Sequence, residues 1–228
     1  MNLLLFIFLP LFLATLACLL LKKRIVIEVS SIIASGVALV ASVIVALRVA
    51  SFDTYNPSSF FSVDALGAII MIIIGLVGFF ATLYSVEYLR QETAKNIIGY
   101  TGVSHLFSRV REYFILLNLF MAMMFLAITV SSPIFAWIFI EATTLSTAFL
   151  ISFYNKPSAI EGAWKYLIIN SLGILLAFFG TLLFFASLGT LGGDASPTFA
   201  LLTQNALHFD PLITKIAFIF IFIGYGTK

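Results

Sequence analysis

Residues Pro133-Ile-Phe-Ala-Trp-Ile-Phe-Ile-Glu141-Ala-Thr-Thr-Leu-Ser-Thr-Ala-Phe-Leu-Ile-Ser-Phe153 form an apolar run that carries a single formal charge. At about 1.5 Å per residue the run is long enough to cross the hydrocarbon core of a bilayer, and Glu141 lies roughly 12 Å in from its start. An ionised carboxylate at that depth costs at least ~2.5 kcal/mol on insertion scales. A chain retains such a group only where something pairs with it or uses it. Glu141 therefore reads as a proton relay, an ion site or one half of a buried structural pair.

The rest of the chain matches this setting. Of its 228 residues 62% are hydrophobic and 10% are charged, with a mean hydropathy of +1.15, whereas soluble domains carry about a quarter charged residues. The 25 phenylalanines and the long unalternating runs suit lipid-facing helices rather than a barrel, whose strands would alternate with a period of two. A net charge of +2, spread along the chain, gives no footprint for nucleic acid. The one cysteine, Cys18, lies in the first apolar run and reads as packing. The two histidines, His105 and His208, fall between runs, so no histidine-based metal or haem centre is expected, and no cofactor is expected to bind this chain.

Six complete spans and the start of a seventh follow from the apolar runs. They cover about Asn2–Leu21, Ile25–Ala50, Val63–Leu89, Glu112–Val130, Pro133–Phe153, Ala159–Leu188 and Pro211–Lys228. The fold class is thus all-α, a polytopic membrane protein forming one transmembrane domain over 1–228. Residues 1–111 supply N-terminal helices and a cytoplasmic loop, and 112–228 hold the remaining spans. The first run has no positive residue before it and Lys22-Lys23-Arg24 after it, the reverse of a cleavable signal peptide.

Loop charges orient the spans. Lys22, Lys23, Arg24, Arg90, Lys95, Arg109, Arg111 and Lys156 flank or fill one set of loops, while Ser51–Ser62, Ser131–Ser132 and Gly189–Asp210 contain no Lys or Arg. The positive-inside rule then places the basic loops in the cytoplasm and the N-terminus outside, as in a multi-pass protein of the inner (plasma) membrane. Arg48 and Lys215 lie at helix ends on the other side, where their long side chains snorkel. The segment Arg90–Arg111 reads as the longest cytoplasmic loop.

Further polar groups lie at membrane depth. Trp137 is one turn before Glu141 and Thr144 one turn after it, on the same helical face. Thr143, Thr144, Ser146 and Thr147 make the second half of this span rich in hydroxyls, which line a hydrated path or bond neighbouring helices. Lys165 follows Glu161 at the i,i+4 spacing of a helical ion pair. It either snorkels to the surface or points inward and exchanges protons with Glu141. Lys228 follows Gly224-Tyr-Gly-Thr, and two glycines so close together suggest a break of the kind transporters use at binding sites. A charged residue at the end of an apolar run also makes the sequence read as one piece of a longer protein.

The segments Trp137-Ile-Phe-Ile-Glu-Ala-Thr-Thr-Leu-Ser-Thr-Ala-Phe-Leu-Ile-Ser-Phe-Tyr-Asn155, Glu161-Gly-Ala-Trp-Lys-Tyr-Leu-Ile-Ile-Asn-Ser-Leu-Gly173 and Gly224-Tyr-Gly-Thr-Lys228 occur in order behind Ser62-Val-Asp-Ala-Leu-Gly67. Together they resemble the antiporter-like subunits of respiratory complex I, Mrp antiporters and group 4 nickel–iron hydrogenases. Their wording looks closest to the hydrogenase-4 and formate hydrogenlyase branch. The resemblance implies a fold of about fourteen helices with two inverted repeats, each containing a broken helix. It also implies a non-catalytic, proton-translocating subunit of a complex of hydrogenase-4 or NADH:quinone type, whose partners are other membrane subunits and peripheral redox subunits. Carried over by position, Glu141 matches the family's essential glutamate, Lys228 the lysine that pairs with it, and Lys165 a lysine of the same hydrophilic path. Thr144 and Thr147 are then candidates to line that path. A structural anchor without conduction of its own, and an Mrp-type cation/proton antiporter subunit, stand as the alternatives.

Overall fold

A computed structural model describes residues 3–21, 23–94, 103–188 and 197–228. The residues expected at Lys22, Lys95 and Asp194 lie outside the described set. The main elements are α1 (Leu5–Leu20), α2 (Arg24–Phe52), β1 (Tyr55–Ser58), β2 (Phe61–Val63), α3 (Ala65–Ala94), α4 (Val103–Thr129), α5 (Pro133–Ile151), α6 (Pro157–Ala186), α7 (Phe199–Gln204) and α8 (Pro211–Gly226), with short 3₁₀ turns at Ser152–Tyr154 and Ala206–His208.

Each apolar run of the sequence becomes a helix. Five of them, α2 to α6, are long and apolar enough to cross a membrane, while α1 and α8 are apolar but shorter, at 16 residues each. At ~1.5 Å per residue a helix of that length reaches about 24 Å, short of the hydrocarbon thickness. The expected six complete spans thus become five long helices flanked by two shorter ones.

Helix boundaries have local causes. Pro133, Pro157 and Pro211 occupy the first turns of α5, α6 and α8, where the missing N–H is no loss. Asp210 caps α8, its carboxylate accepting from the amides of Leu212 and Ile213 at 2.9 Å. The turn after α5 ends at Asn155, whose φ of 51° is left-handed, a conformation that Asn tolerates better than most residues.

Two expectations about loops are corrected. Within the segment Arg90–Arg111, residues 90–94 and 103–111 are helical. Helix α3 continues to Ala94 and α4 starts at Val103, so both project beyond their apolar portions, and His105 belongs to α4. The segment Ser51–Ser62 holds an antiparallel hairpin pairing Tyr55 with Val63 and Ser58 with Phe61. Its second strand also bridges from Phe61 to Val130, and Ser131 donates its amide to the Phe60 carbonyl at 2.9 Å. The hairpin thus ties the α2–α3 connection to the end of α4.

The interior is built from two apolar clusters. The larger joins α1, α2, α3 and α4 around Leu4, Ile7, Leu11, Val45, Met71, Met121 and Phe125. The smaller lies at the opposite, basic end around Cys18, Ile27, Leu89, Val110, Phe114 and Phe153. Leucine, isoleucine and phenylalanine side chains on the outer faces remain exposed, as at Leu66, Ile73, Phe80, Leu172 and Phe222, which suits a lipid surround. The α5, α6 and α8 group stands beside this bundle and holds the polar centre.

Candidate functional site

Helix α5 turns Trp137, Glu141 and Thr144 toward α6 and α8. The indole N–H of Trp137 donates to the Ile174 carbonyl at 2.5 Å, and its ring stacks on Phe178 with centroids 4.3 Å apart. One turn further along, the Ser171 hydroxyl donates to Glu141 Oε1 at 2.6 Å. The second carboxylate oxygen, Oε2, is buried with no hydrogen-bond partner among the described residues. Glu141 is therefore held by one hydroxyl and keeps a free acceptor inside the protein.

Lys228 enters from α8. Its ammonium donates to the hydroxyl of Thr144 and to the Ile140 carbonyl at 3.4 Å. Thr144 is fully buried, and its own hydroxyl donates to the same carbonyl at 3.3 Å. Lys228 and Glu141 interact electrostatically. Among the described residues they form no direct salt bridge, since the ammonium rests one turn of α5 away from the carboxylate. The structure thus brings Glu141, Thr144 and Lys228 together and places the ammonium beside the glutamate rather than on it.

Close packing of α6 on α8 sets this position. A Cβ added at Gly180 would stand 2.8 Å from the Ala217 carbonyl oxygen, and one at Gly173 would stand 2.8 Å from Thr227 Cβ. On the other helix, a Cβ at Gly224 would come within 2.7 Å of Ala177 Cα and Cβ. Small residues at such contacts let membrane helices approach closely, where packing rather than water drives association. Gly224 therefore serves a helix–helix contact. Helix α8 is regular past Gly224 and ends at Gly226, the second of the two glycines.

The other candidates lie apart from this centre. Lys165 forms the i,i+4 ion pair with Glu161, and both side chains are largely exposed, at 70% and 65%. No contact joins Lys165 to Glu141. Thr147 donates to the Thr143 carbonyl at 2.7 Å, Thr143 to Ile140 at 2.6 Å and Ser146 to Ala142 at 2.9 Å. The hydroxyls of this half of α5 are thus engaged by their own helix, and of them Thr144 also receives Lys228.

Two polar features had no sequence-level prediction. Ser171 is the partner of Glu141, signalled in the sequence only as a serine after Asn170 in an apolar helix. Glu28, 1% exposed, accepts from Arg24 Nε at 2.7 Å and from Arg90 Nη2 at 2.5 Å. The Arg24–Glu28 spacing of four residues was its available signal.

Comparison with known proteins identifies relatives of the chain. Residues 50–96 fit the family described as NADH-ubiquinone oxidoreductase (complex I), chain 5 N-terminus, and residues 130–228 fit that described as the NADH:quinone oxidoreductase/Mrp antiporter transmembrane region. The chain is 36% identical over 179 residues to a hydrogenase-4 component F homolog of Methylacidiphilum infernorum, covering 78% of this chain and 36% of that protein. It is 29% identical over 130 residues to NADH-quinone oxidoreductase subunit L of Mycobacterium tuberculosis, covering 57% of this chain and 18% of that one. Its fold superposes with a TM-score of 0.72, at 16% identity, on a chain of the membrane-bound sulfane sulfur reductase, an archaeal respiratory membrane complex, over 96% of this chain and 43% of the other. The chain thus spans well under half the length of each of these relatives. With Glu141, Thr144 and Lys228 inside the second matched region, the chain is a multi-pass membrane protein that belongs to the antiporter-like superfamily shared by complex I, Mrp antiporters and group 4 hydrogenases.

Proposed function

We propose that this chain forms part of a proton-translocating subunit in a redox complex of the hydrogenase-4 or NADH:quinone type, seated in the inner membrane with its N-terminus outside. The observation that carries this reading is the Glu141 carboxylate, held by Ser171 on one oxygen and unpartnered on the other, with the Lys228 ammonium one turn away. A buried, half-satisfied carboxylate has room for a proton on Oε2. An ammonium brought against it stabilises the charged form, and withdrawing the ammonium stabilises the protonated form. Lys228 has two berths for this motion, the Thr144 hydroxyl and Ile140 carbonyl on one side and Glu141 on the other, with Thr144 and Glu141 about 4.5 Å apart along α5. Alternation between them loads and releases a proton.

Electron transfer belongs to peripheral redox partners in this scheme, and this chain holds the relay. Lys165 serves, if at all, further along the path, because its side chain turns away from Glu141 toward Glu161. A double-mutant cycle in the full-length protein within its complex tests the pairing. Glu141→Gln, Lys228→Met and the combination are compared for proton translocation by inverted vesicles at matched complex content. Each single change is expected to abolish most translocation, and the double to be no worse than either. Wild-type translocation in either single variant, with the complex intact, would remove the relay from this pair.

A further inference from the structure

The basic end of the α1–α4 bundle gathers more positive charge than its acidic group neutralises. Glu28 is spent on two arginines, taking Arg24 on one oxygen and Arg90 on the other. Arg24 still has its Nη2 buried and without a partner among the described residues, and Arg111 on α4 has its Nε in the same condition. A guanidinium carries donors only, so each orphan is a place for an acceptor.

The two orphans lie at one level. Helices α2 and α4 both lead away from this end and are joined where Asn118 donates to the Ser31 hydroxyl at 2.8 Å. Arg24 precedes Ser31 by seven residues and Arg111 precedes Asn118 by seven, so each stands two turns, about 10 Å, below that bond on the same face of its helix. Cys18 of α1 stands at the level of that bond, its thiol 3.9 Å from Ser31 Oγ. Ile27, Leu89 and Val110, the chain neighbours of Glu28, Arg90 and Arg111, pack with Cys18 and Phe114 in one apolar cluster. Arg24, Arg90 and Glu28 therefore meet at the mouth of the bundle, where the apolar spans of α2 and α4 begin at Arg24 and Arg109, with Arg111 at the same level on α4.

An acceptor for this place must be anionic, because the local excess is positive. It must present several oxygens, because two forked donors face it. It must also be available at headgroup depth, and basic pockets between helices on the cytoplasmic side are where anionic lipid headgroups bind. The geometry points to a phosphate-binding site formed by Arg24 and Arg111, with Glu28 and Arg90 setting its charge, filled by the phosphate of an anionic phospholipid of the basic-side leaflet. Its occupant pins α2 to α4 independently of the relay at Glu141.

The test uses the full-length protein in its complex, purified in mild detergent. Native mass spectrometry counts retained phospholipid, and thermal unfolding of delipidated protein is followed with added phosphatidylglycerol, phosphatidylcholine or inorganic phosphate. Wild type is expected to retain anionic phospholipid and to be stabilised by phosphatidylglycerol but not phosphatidylcholine. Each charge-assisted bond lost in Arg24→Gln or Arg111→Gln is expected to weaken that binding by about tenfold. Arg111→Lys keeps charge and stem but loses the fork, so it tests the site even if the glutamine variants fail to fold, and it is expected to bind more weakly than wild type. Stabilisation by inorganic phosphate with no response to phosphatidylglycerol would support the anion site with free phosphate as its source. Equal response to both lipids, no response to any of the three, or unchanged binding in Arg111→Lys would overturn it.

Discussion

Ser171 of α6 donates its hydroxyl to Glu141 of α5 at 2.6 Å, and that bond is the sole hydrogen bond the carboxylate receives among the described residues. It joins two antiparallel helices next to the Trp137–Ile174 bond, so Glu141 is positioned by α6 before Lys228 arrives from α8. Replacing Ser171 by Ala leaves both carboxylate oxygens without a donor, which destabilises the charged form by about 1–3 kcal/mol. The expected outcome is a several-fold loss of proton translocation with normal assembly, restored largely by Ser171→Thr. Vesicle acidification measured at equal complex content checks this.

The α6–α8 contact gives a prediction about packing. Gly224→Val places side-chain atoms where Ala177 already lies, and Gly173→Val does the same against Thr227. Overpacking of this kind costs about 1–3 kcal/mol or more and moves Lys228 off Thr144. Gly162 is the control, since a Cβ there meets nothing within 4 Å. Gly162→Ala is expected to be neutral or to stabilise α6 by up to about 1 kcal/mol. Thermal unfolding in detergent of the three variants ranks them.

The exposed Glu161–Lys165 pair separates folding from function. An exposed ion pair contributes about 0–1 kcal/mol, so Lys165→Gln is expected to leave the unfolding temperature nearly unchanged. Any drop in translocation by that variant, measured beside its unfolding curve, then reports a role of the amine itself. A large loss of stability would contradict the outward placement of this side chain.

At the other end of the molecule Glu28 is a structural acid. Glu28→Gln leaves Arg24 Nε without its charged acceptor, at a cost of about 1–3 kcal/mol. Because the carboxylate is 1% exposed, salt screens the interaction little. The loss of unfolding temperature is therefore expected to be similar at low and high ionic strength.

Which features were legible in the sequence follows from their cost. A lone charge in an apolar run is expensive in lipid, so Glu141 and Lys228 stood out, and Thr144 followed from Glu141 by helical spacing. A serine in the same setting is cheap, so Ser171 gave no signal until the register of α5 against α6 was known. Gly224 has a use that its sequence context did not show. Its conformational freedom suggested a break, but tertiary packing on Ala177 uses its lack of a side chain. Glu28 lies near the basic end of α2, where a charge stands out little, and its second partner, Arg90, comes from another helix. The hairpin at Tyr55–Val63 was hidden because the contacts that hold it, from Phe60 to Ser131 and from Phe61 to Val130, are non-local.

The central claim is that Glu141 carries the translocated proton. The most direct test is the ratio of protons moved to electrons transferred in vesicles holding the full complex, with Glu141→Gln compared to wild type at equal complex content. The account predicts a lower ratio, with electron transfer still measurable and the complex intact. An unchanged ratio in Glu141→Gln would contradict it and leave Glu141 as a structural partner of Ser171.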